Sequence, residues 1–346
     1  MMMENMMNEY RASAARYDGH MPYRVCGHSG LSLPEVSFGT WHNFGSDCDI
    51  VSMKRLVRKA FDSGITYFDC ANNYGPEPGA AEENLGRILA TDLKRYRDEL
   101  LIATKAGHPM WEGPYGNWGS RKHLIASLDQ SLHRLQLDYV DIFYHHRPDP
   151  HTPVEETVSA LEQIVRSGKA LYIGLSKYDP EQLMMIVPLL VERHVPFVVE
   201  QIRYSLLNRR VETEGLLVAA HQAGIGLIAF SPLAQGLLTD RYMNGIPEDS
   251  RIARKSPFLK QSDLTAERVS QIRALTAIAR HRGQSLAQMS LAWILSHSEI
   301  SSVLIGASRP EQIHSDVAAV ASAPFTPDEL NAIDAITLPG HSDQRS

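Results

Sequence analysis

The chain has 346 residues, 43% hydrophobic and 21% charged, with a formal net charge of −6. That is an ordinary globular mix, long enough for one large α/β barrel or about two average domains. The acidic balance and the lack of a Lys/Arg-rich run argue against a nucleic-acid partner.

Residues 1–21, "MMMENMMNEYRASAARYDGH" and the Met that follows, lack the apolar core of a signal peptide and are expected to form a flexible lead. "PYRVCGHSGLSLP" then predicts a hairpin about a Gly-containing turn. From there, apolar runs of strand length alternate with helical patterns. "EVSFGT" precedes a helix over about 50–64, with Met53, Leu56, Val57, Ala60 and Phe61 on one face. "ITYFDCA" precedes a helix near 80–93, and "LLIATKA" one near 121–136 with a Leu124, Leu128, Leu132, Leu135 stripe. "YVDIFYHH", "ALYIGLS", "FVVEQIRY", "GIGLIAFSPL" and "SSVLIGA" complete eight strands. The seventh opens into a long polar stretch, about 236–264, expected to be a lid or binding loop. Helices near 265–283 and 285–297 lead to the eighth.

Eight strands alternating with helices predict a (β/α)₈ TIM barrel over 22–335, followed by a tail at 336–346. "GIGLIA" matches a dinucleotide-binding glycine pattern, but it leads from helix to strand, the reverse of what that motif needs. Cys26, Cys48 and Cys70 cannot all pair and show no metal spacing. They read as reduced thiols of a cytoplasmic protein. No segment is expected to span a membrane.

In such a barrel the chemistry sits at the C-terminal ends of the strands. Those ends carry Thr40 and Trp41, then Asp69 with Tyr74, then Lys105, then His145 and His146, with Ser176, Gln201, Ser231 and Ser308 beyond. Taken singly, Asp69 is as readily a loop cap, Lys105 a surface residue and Tyr74 a packing residue. Together, on three adjacent strands at one end, they suit proton donation to a carbonyl. A free tyrosine, with a pKa of about 10, is a poor acid near neutrality. A lysine beside it is expected to lower that pKa, a carboxylate to fix the lysine, and an imidazole to orient the carbonyl oxygen.

With these motifs the sequence resembles the aldo-keto reductase family over about 22–335. The resemblance assigns catalysis to Asp69 and Tyr74 of "FDCANNYG", Lys105 of "ATKAG" and His146 of "VDIFYHHRPD". His145 is the rival, but Val140, Ile142, Tyr144 and His146 share one strand face, which favours His146. The implied cofactor is NADPH. Thr40, Trp41, Asp69, Ser176, Lys177 and Gln201 would meet its nicotinamide end, Lys177 standing where the family has Asn. Phe230 would stack on the ring, and Ser231, Pro232, Leu233, Gln235 and Gly236 would wrap the pyrophosphate. Gly306, Ser308, Gln312 and Asp316 fall in the adenine-end motif, and Arg241 and Arg251 match cationic positions toward the 2′-phosphate. "GTWHNFG", "FDCANNYGPEPGAAEENLGRIL" and "FSPLAQGLLTDRYMNGIPEDSR" resemble the bacterial L-glyceraldehyde 3-phosphate reductase subgroup, itself similar to voltage-gated potassium-channel β subunits. This implies reduction of small aldehydes by a homo-oligomer.

Two other readings follow from the same residues. "HHRPDPH" could belong to a metal-dependent barrel hydrolase, although the first strand offers only His42. A regulatory subunit with vestigial catalysis is the second, disfavoured by His146, where the channel subunits resembled here have Asn. Trp111, Tyr115 and Trp118 after the third strand are candidate pocket walls, and Arg147 a candidate contact for a substrate phosphate.

Overall fold

The computed structural model describes residues 9–242, 245–248, 250–254 and 258–338. A hairpin comes first, β1 (Tyr23–Val25) paired antiparallel with β2 (Ser32–Pro34). Eight parallel strands then close into a barrel. They are β3 (Val36–Gly39), β4 (Tyr67–Asp69), β5 (Leu101–Ala106), β6 (Val140–His145), β7 (Ala170–Ser176), β8 (Phe197–Arg203), β9 (Gly226–Phe230) and β10 (Ile300–Ile305). Each pairs with its neighbours in chain order, and β10 closes the ring on β3. The expected (β/α)₈ barrel is therefore the fold.

Helices surround it: α1 (Ile50–Asp62), α2 (Ala80–Ile88), α3 (Arg121–Leu135), α4 (Val154–Arg166), α5 (Pro180–Glu192), α6 (Arg210–Thr213), α7 (Leu216–Ala223), α8 (Ala266–His281), α9 (Leu286–Leu295), α10 (Pro310–Val317) and α11 (Pro327–Thr337). The stripes read from sequence are the buried faces of α1 and α3. The helix expected over 80–93 is α2 followed by a wider π-helical turn, Leu89–Leu93. Residues 9–21, expected to be flexible, pack instead on α1: Tyr10 Oη donates to Asp62 at 2.7 Å, and Ser13 N donates to the same oxygen at 2.7 Å. Residues 1–8 and 339–346 lie outside the described residues.

Strand parity positions the site. Side chains alternate between the barrel lumen and the helix layer. Tyr67, Ala103, Ile142, Tyr144, Val199 and Ile228 form an inner cluster, joined by Leu31 and Leu33 of the hairpin segment. Phe68, Ile102, Phe143, Ile173 and Leu175 belong to the outer core against the helices. The inward parity then delivers Asp69, Lys105, His146, Ser176 and Gln201 to the upper end of the lumen. Registers agree, pairing Asp69 with Ala103, Lys105 with Tyr144, and Ser176 with Gln201.

Gly174 faces this lumen where Tyr144 fills it. A Cβ there would lie 2.3 Å from the Tyr144 ring. Gly174→Ala is expected to displace that ring and destabilise the fold by about 1–3 kcal/mol, read from the urea unfolding midpoint. An unchanged midpoint would mean that the lumen has room these distances do not show.

Candidate active site

Lys105 is wholly buried among groups that engage its ammonium. Nζ donates to Asp69 Oδ2, to the Cys70 carbonyl at 2.8 Å and to Tyr74 Oη at 3.2 Å. The other Asp69 oxygen accepts from Gln201 Nε2 at 2.8 Å and from Tyr67 Oη at 3.2 Å, and Tyr67 meets Tyr144 Oη at 2.9 Å. Three donors thus hold the carboxylate. All three ammonium N–H groups have acceptors, one of them the phenol oxygen. Tyr74 receives a hydrogen bond there, and its own O–H remains able to donate into the cleft.

Burial drives the electrostatics. It would push the Lys105 ammonium down, but Asp69 and Tyr74 hold it above its ordinary value. The same burial pushes the Tyr74 phenol up to about 12, outweighing the lowering by Lys105, while Asp69 adds to the rise. Lys105 lowers this pKa as expected, but burial outweighs it and the net shift is upward. Tyr74 holds its proton at neutral pH. His146, at the lumen edge of β6, is pushed well below the usual imidazole value by burial and then by Lys105 and Lys177. It is a neutral ring, 5.8 Å from the Tyr74 ring by centroids. His145 faces the helix layer, its Nδ1 2.7 Å from Tyr178 Oη.

Above this floor opens a cleft of about 670 Å³. Trp41, Asp69, Tyr74, His146, Ser176, Lys177, Gln201 and Phe230 line one part of it. Ser231, Pro232, Leu233, Gln235, Gly236, Arg241 and Arg251 line the rim after β9, and Gly306, Ser308, Gln312 and Asp316 the part beyond β10. Thr40 is not on the surface of the cleft: it is fully buried, and its hydroxyl donates to the Asp69 carbonyl at 3.0 Å. The candidate walls after β5 lie elsewhere. Trp111 packs on His123, Tyr115 is exposed, and Trp118 lies under the Arg147 guanidinium at 3.7 Å. Arg147 itself donates to the Gly107 carbonyl and to Asn117, each at 2.8 Å. It supports the loop rather than the cleft.

Sequence reasoning missed His42, Asn43, Asn73, His108, Arg254 and Phe258, all of which line the cleft. Asn43 and Asn73 sit inside motifs already singled out, two residues from Trp41 and one from Tyr74. Phe258 comes from the long stretch after β9 and stacks edge-on against Trp41 at 4.5 Å. Buried Tyr242, Ile252 and Leu259 anchor that stretch. Among the described residues no three His, Cys, Asp or Glu side chains are placed to hold a metal ion. His151 stacks edge-on against Trp118.

The profile of the Aldo/keto reductase family matches residues 35–338. The chain belongs to this family. It is an oxidoreductase. It is 55% identical over 326 residues to an L-glyceraldehyde 3-phosphate reductase of Escherichia coli O157:H7, covering 93% of this chain and 94% of that one. Two plant proteins, each named as a probable voltage-gated potassium channel subunit beta, are also similar. The rice protein is 37% identical over 323 residues and the Arabidopsis thaliana protein 38% over 332, each match covering 91% of this chain and 96% of the relative.

Members of the family generally use a nicotinamide cofactor, and the residues present fit one. An aromatic face, Phe230, lines the cleft with Asp69 and Tyr74, and Arg241, Arg251 and Arg254 supply cations to the same cleft. Between them Ser231, Ala234 and Gln235 all have positive φ, folding the rim into a tight turn. Gln235 Nε2 donates to Ser231 Oγ at 3.0 Å, and Arg251 donates to Gln235 Oε1. That ties the turn to the long stretch. Gln312 Oε1 accepts from Ser308 N at 2.8 Å and closes the N-terminus of α10.

One turn along α10, burial pushes the Asp316 carboxyl up to about 7. In the unfolded chain an aspartate titrates near 4. Between those values the folded protein binds the extra proton, so the stability this group contributes is present at low pH and lost as pH rises to about 7. In the cofactor-free protein, Asp316→Asn should therefore stabilise increasingly from pH 4 to pH 7 and level off above. Melting temperatures across that range check this; a gain independent of pH would place the carboxylate in a wetter site.

Proposed function

We propose that the protein reduces small aldehydes, including glyceraldehyde 3-phosphate and methylglyoxal-like carbonyls, to alcohols with NADPH. The observation that carries the reading is the Lys105 ammonium with every N–H engaged, which leaves the Tyr74 O–H to donate at the floor of the cleft. Asp69, Tyr74, Lys105 and His146 act together. Tyr74 gives its proton to the carbonyl oxygen as that oxygen becomes an alkoxide. Lys105, 3.2 Å from the phenol oxygen, stabilises the phenolate left behind. Asp69 keeps the lysine charged in a buried place, and neutral His146 orients the carbonyl oxygen. Bound along the cleft, the cofactor supplies the hydride. Ser176, Gln201 and Phe230 would hold its nicotinamide end; Arg241 and Arg251 would meet the 2′-phosphate. The similarity to the E. coli reductase supports the substrate class.

The same reading makes the protein a cytoplasmic homo-oligomer. Among the described residues no helix is long and apolar enough to cross a membrane. Exposed Met184, Met185 and Val191 of α5 and Val218 of α7 offer an apolar face for self-association.

Tyr74→Phe should lower kcat/KM for an aldehyde by about 10²–10⁴-fold while leaving NADPH affinity nearly intact. His146→Ala should lower turnover strongly, and His145→Ala mainly stability. Near-normal turnover by Tyr74→Phe would remove the phenol from the mechanism. For the cofactor, NADPH is expected to bind more tightly than NADH, and Arg251→Ala should narrow the difference. Equal dissociation constants for the two, unchanged by that substitution, would rule out 2′-phosphate recognition at this rim.

A further inference from the structure

From Tyr74 a row of side chains runs along one wall of the cleft. The His146 ring stands 5.8 Å from the Tyr74 ring, and the His108 ring is edge-on to His146 at 4.6 Å. Lys177 Nζ meets His108 Nε2 at 3.4 Å. All four line the cleft.

Lys177 follows β7, yet its ammonium reaches back across β6 to the segment after β5, where His108 sits. Most of the candidate cofactor residues gather the other way round the barrel, on or after β8, β9 and β10. The side chain therefore leans toward the floor that holds the proton donor. Its backbone has φ 64°, left-handed for a residue with a long side chain. Such strain is retained where the surroundings require it.

The row contains one cation. Burial and neighbouring positive charge push His108 down to about 4, and His146 is neutral for the same reasons. Lys177 can use a single N–H on the His108 nitrogen, through a long contact. The residue as a whole is exposed, but burial around its ammonium, with Lys105 and Arg147 nearby, pushes it down to about 8. Both charged neighbours acting on it are cations, and Lys105 is answered by Asp69 while Arg147 is turned to Gly107 and Asn117. A charged group in a partly dry place without an anion suits an anionic ligand.

We propose that Lys177, with His108 beside it, forms the subsite that takes a phosphate monoester at the far end of the aldehyde. On this assignment Lys177 sets the preference for phosphorylated over neutral aldehydes. The assignment rests on the reductase reading above and adds to it which residue selects the substrate. It also moves Lys177 from the cofactor side of the cleft to the substrate side.

The test compares glyceraldehyde 3-phosphate with glyceraldehyde in wild type, Lys177→Met and Lys177→Arg. In Lys177→Met the ratio of the two kcat/KM values should fall about 10- to 100-fold, the value of one charged hydrogen bond, and Lys177→Arg should restore it. A phosphate monoester is dianionic above about pH 6. The wild-type ratio should therefore decline as pH rises through about 8, where the lysine loses its proton. In Lys177→Arg it should persist, since arginine stays charged. The titratable and charged groups that face Lys177 are His108, His146, Lys105 and Arg147, present in every variant.

A second readout needs no turnover. Calorimetry on NADP⁺-loaded protein should show glycerol 3-phosphate binding weakened about 10-fold or more by Lys177→Met, and glycerol unaffected. A ratio unchanged by Lys177→Met, with NADPH affinity lost instead, would return Lys177 to the cofactor and overturn the proposal. Failure of wild type to reduce either aldehyde would remove the reductase reading, and the glycerol 3-phosphate measurement would still decide the anion subsite.

Discussion

A lysine ammonium with no solvent exposure sits at the top of the barrel lumen, and the rest of the site follows from that burial. An isolated charge there would be several kcal/mol unfavourable, so it persists only with a carboxylate and acceptors for its remaining protons. Asp69 on the adjoining strand supplies the charge, and the Cys70 carbonyl and Tyr74 oxygen supply the acceptors. The carboxylate in turn requires donors, which Gln201 and Tyr67 provide from opposite sides of the lumen. Tyr67 and Tyr144 fill the space beneath, and only glycine fits at 174 beside them. The core and the chemistry are thus one packing problem.

The same burial decides what kind of acid the phenol is. A lysine ammonium in contact with a tyrosine favours the phenolate when the lysine's field is unopposed. Here Asp69 opposes it, and desolvation of the phenolate dominates. The cluster stores a proton on oxygen at neutral pH rather than releasing it to solvent. Charge developing on a carbonyl oxygen in the cleft would change that balance, because an alkoxide is a far stronger base than the phenolate it would create.

How much of this was legible depended on the range of the interactions. Strand and helix alternation is local, and it was enough for the eight-stranded barrel. Parity is also local: Tyr144 inward and His145 outward follow from a period of two, which separates His146 from His145 in the sequence alone. Partners across the barrel were not legible. Nothing near residue 201 in the chain marks Gln201 as a donor to Asp69, and nothing near 74 shows that burial would outweigh Lys105. The loop after β5 misled for a related reason. Its aromatics are conspicuous in sequence, but Trp111 and Trp118 satisfy themselves against His123 and Arg147. Phe258, unremarkable in a polar stretch, is the aromatic that reaches Trp41. The tail and the first residues were bounded by composition alone, which could not show that Tyr10 and Ser13 dock on Asp62.

Strand order gives the cleft two sides. The ends of β4, β5 and β6 carry Asp69, Lys105 and His146, with Tyr74 just beyond β4, while β8, β9 and β10 and the segments after them carry the aromatic face, the tight turn and the arginines. β7 is the boundary, and its last residue and the next one divide accordingly. Ser176, pointing inward, donates to the Gln201 carbonyl at 3.2 Å, on the β8 side. Lys177 turns through left-handed backbone and meets His108, on the β5 side. The family's Asn at that position tolerates such backbone well, because its short amide bonds locally. A lysine there accepts about 1–2 kcal/mol of strain and carries a charge several ångströms farther from the chain. The substitution therefore changes reach as well as chemistry, and reach is what carries the group across the boundary between the two sides.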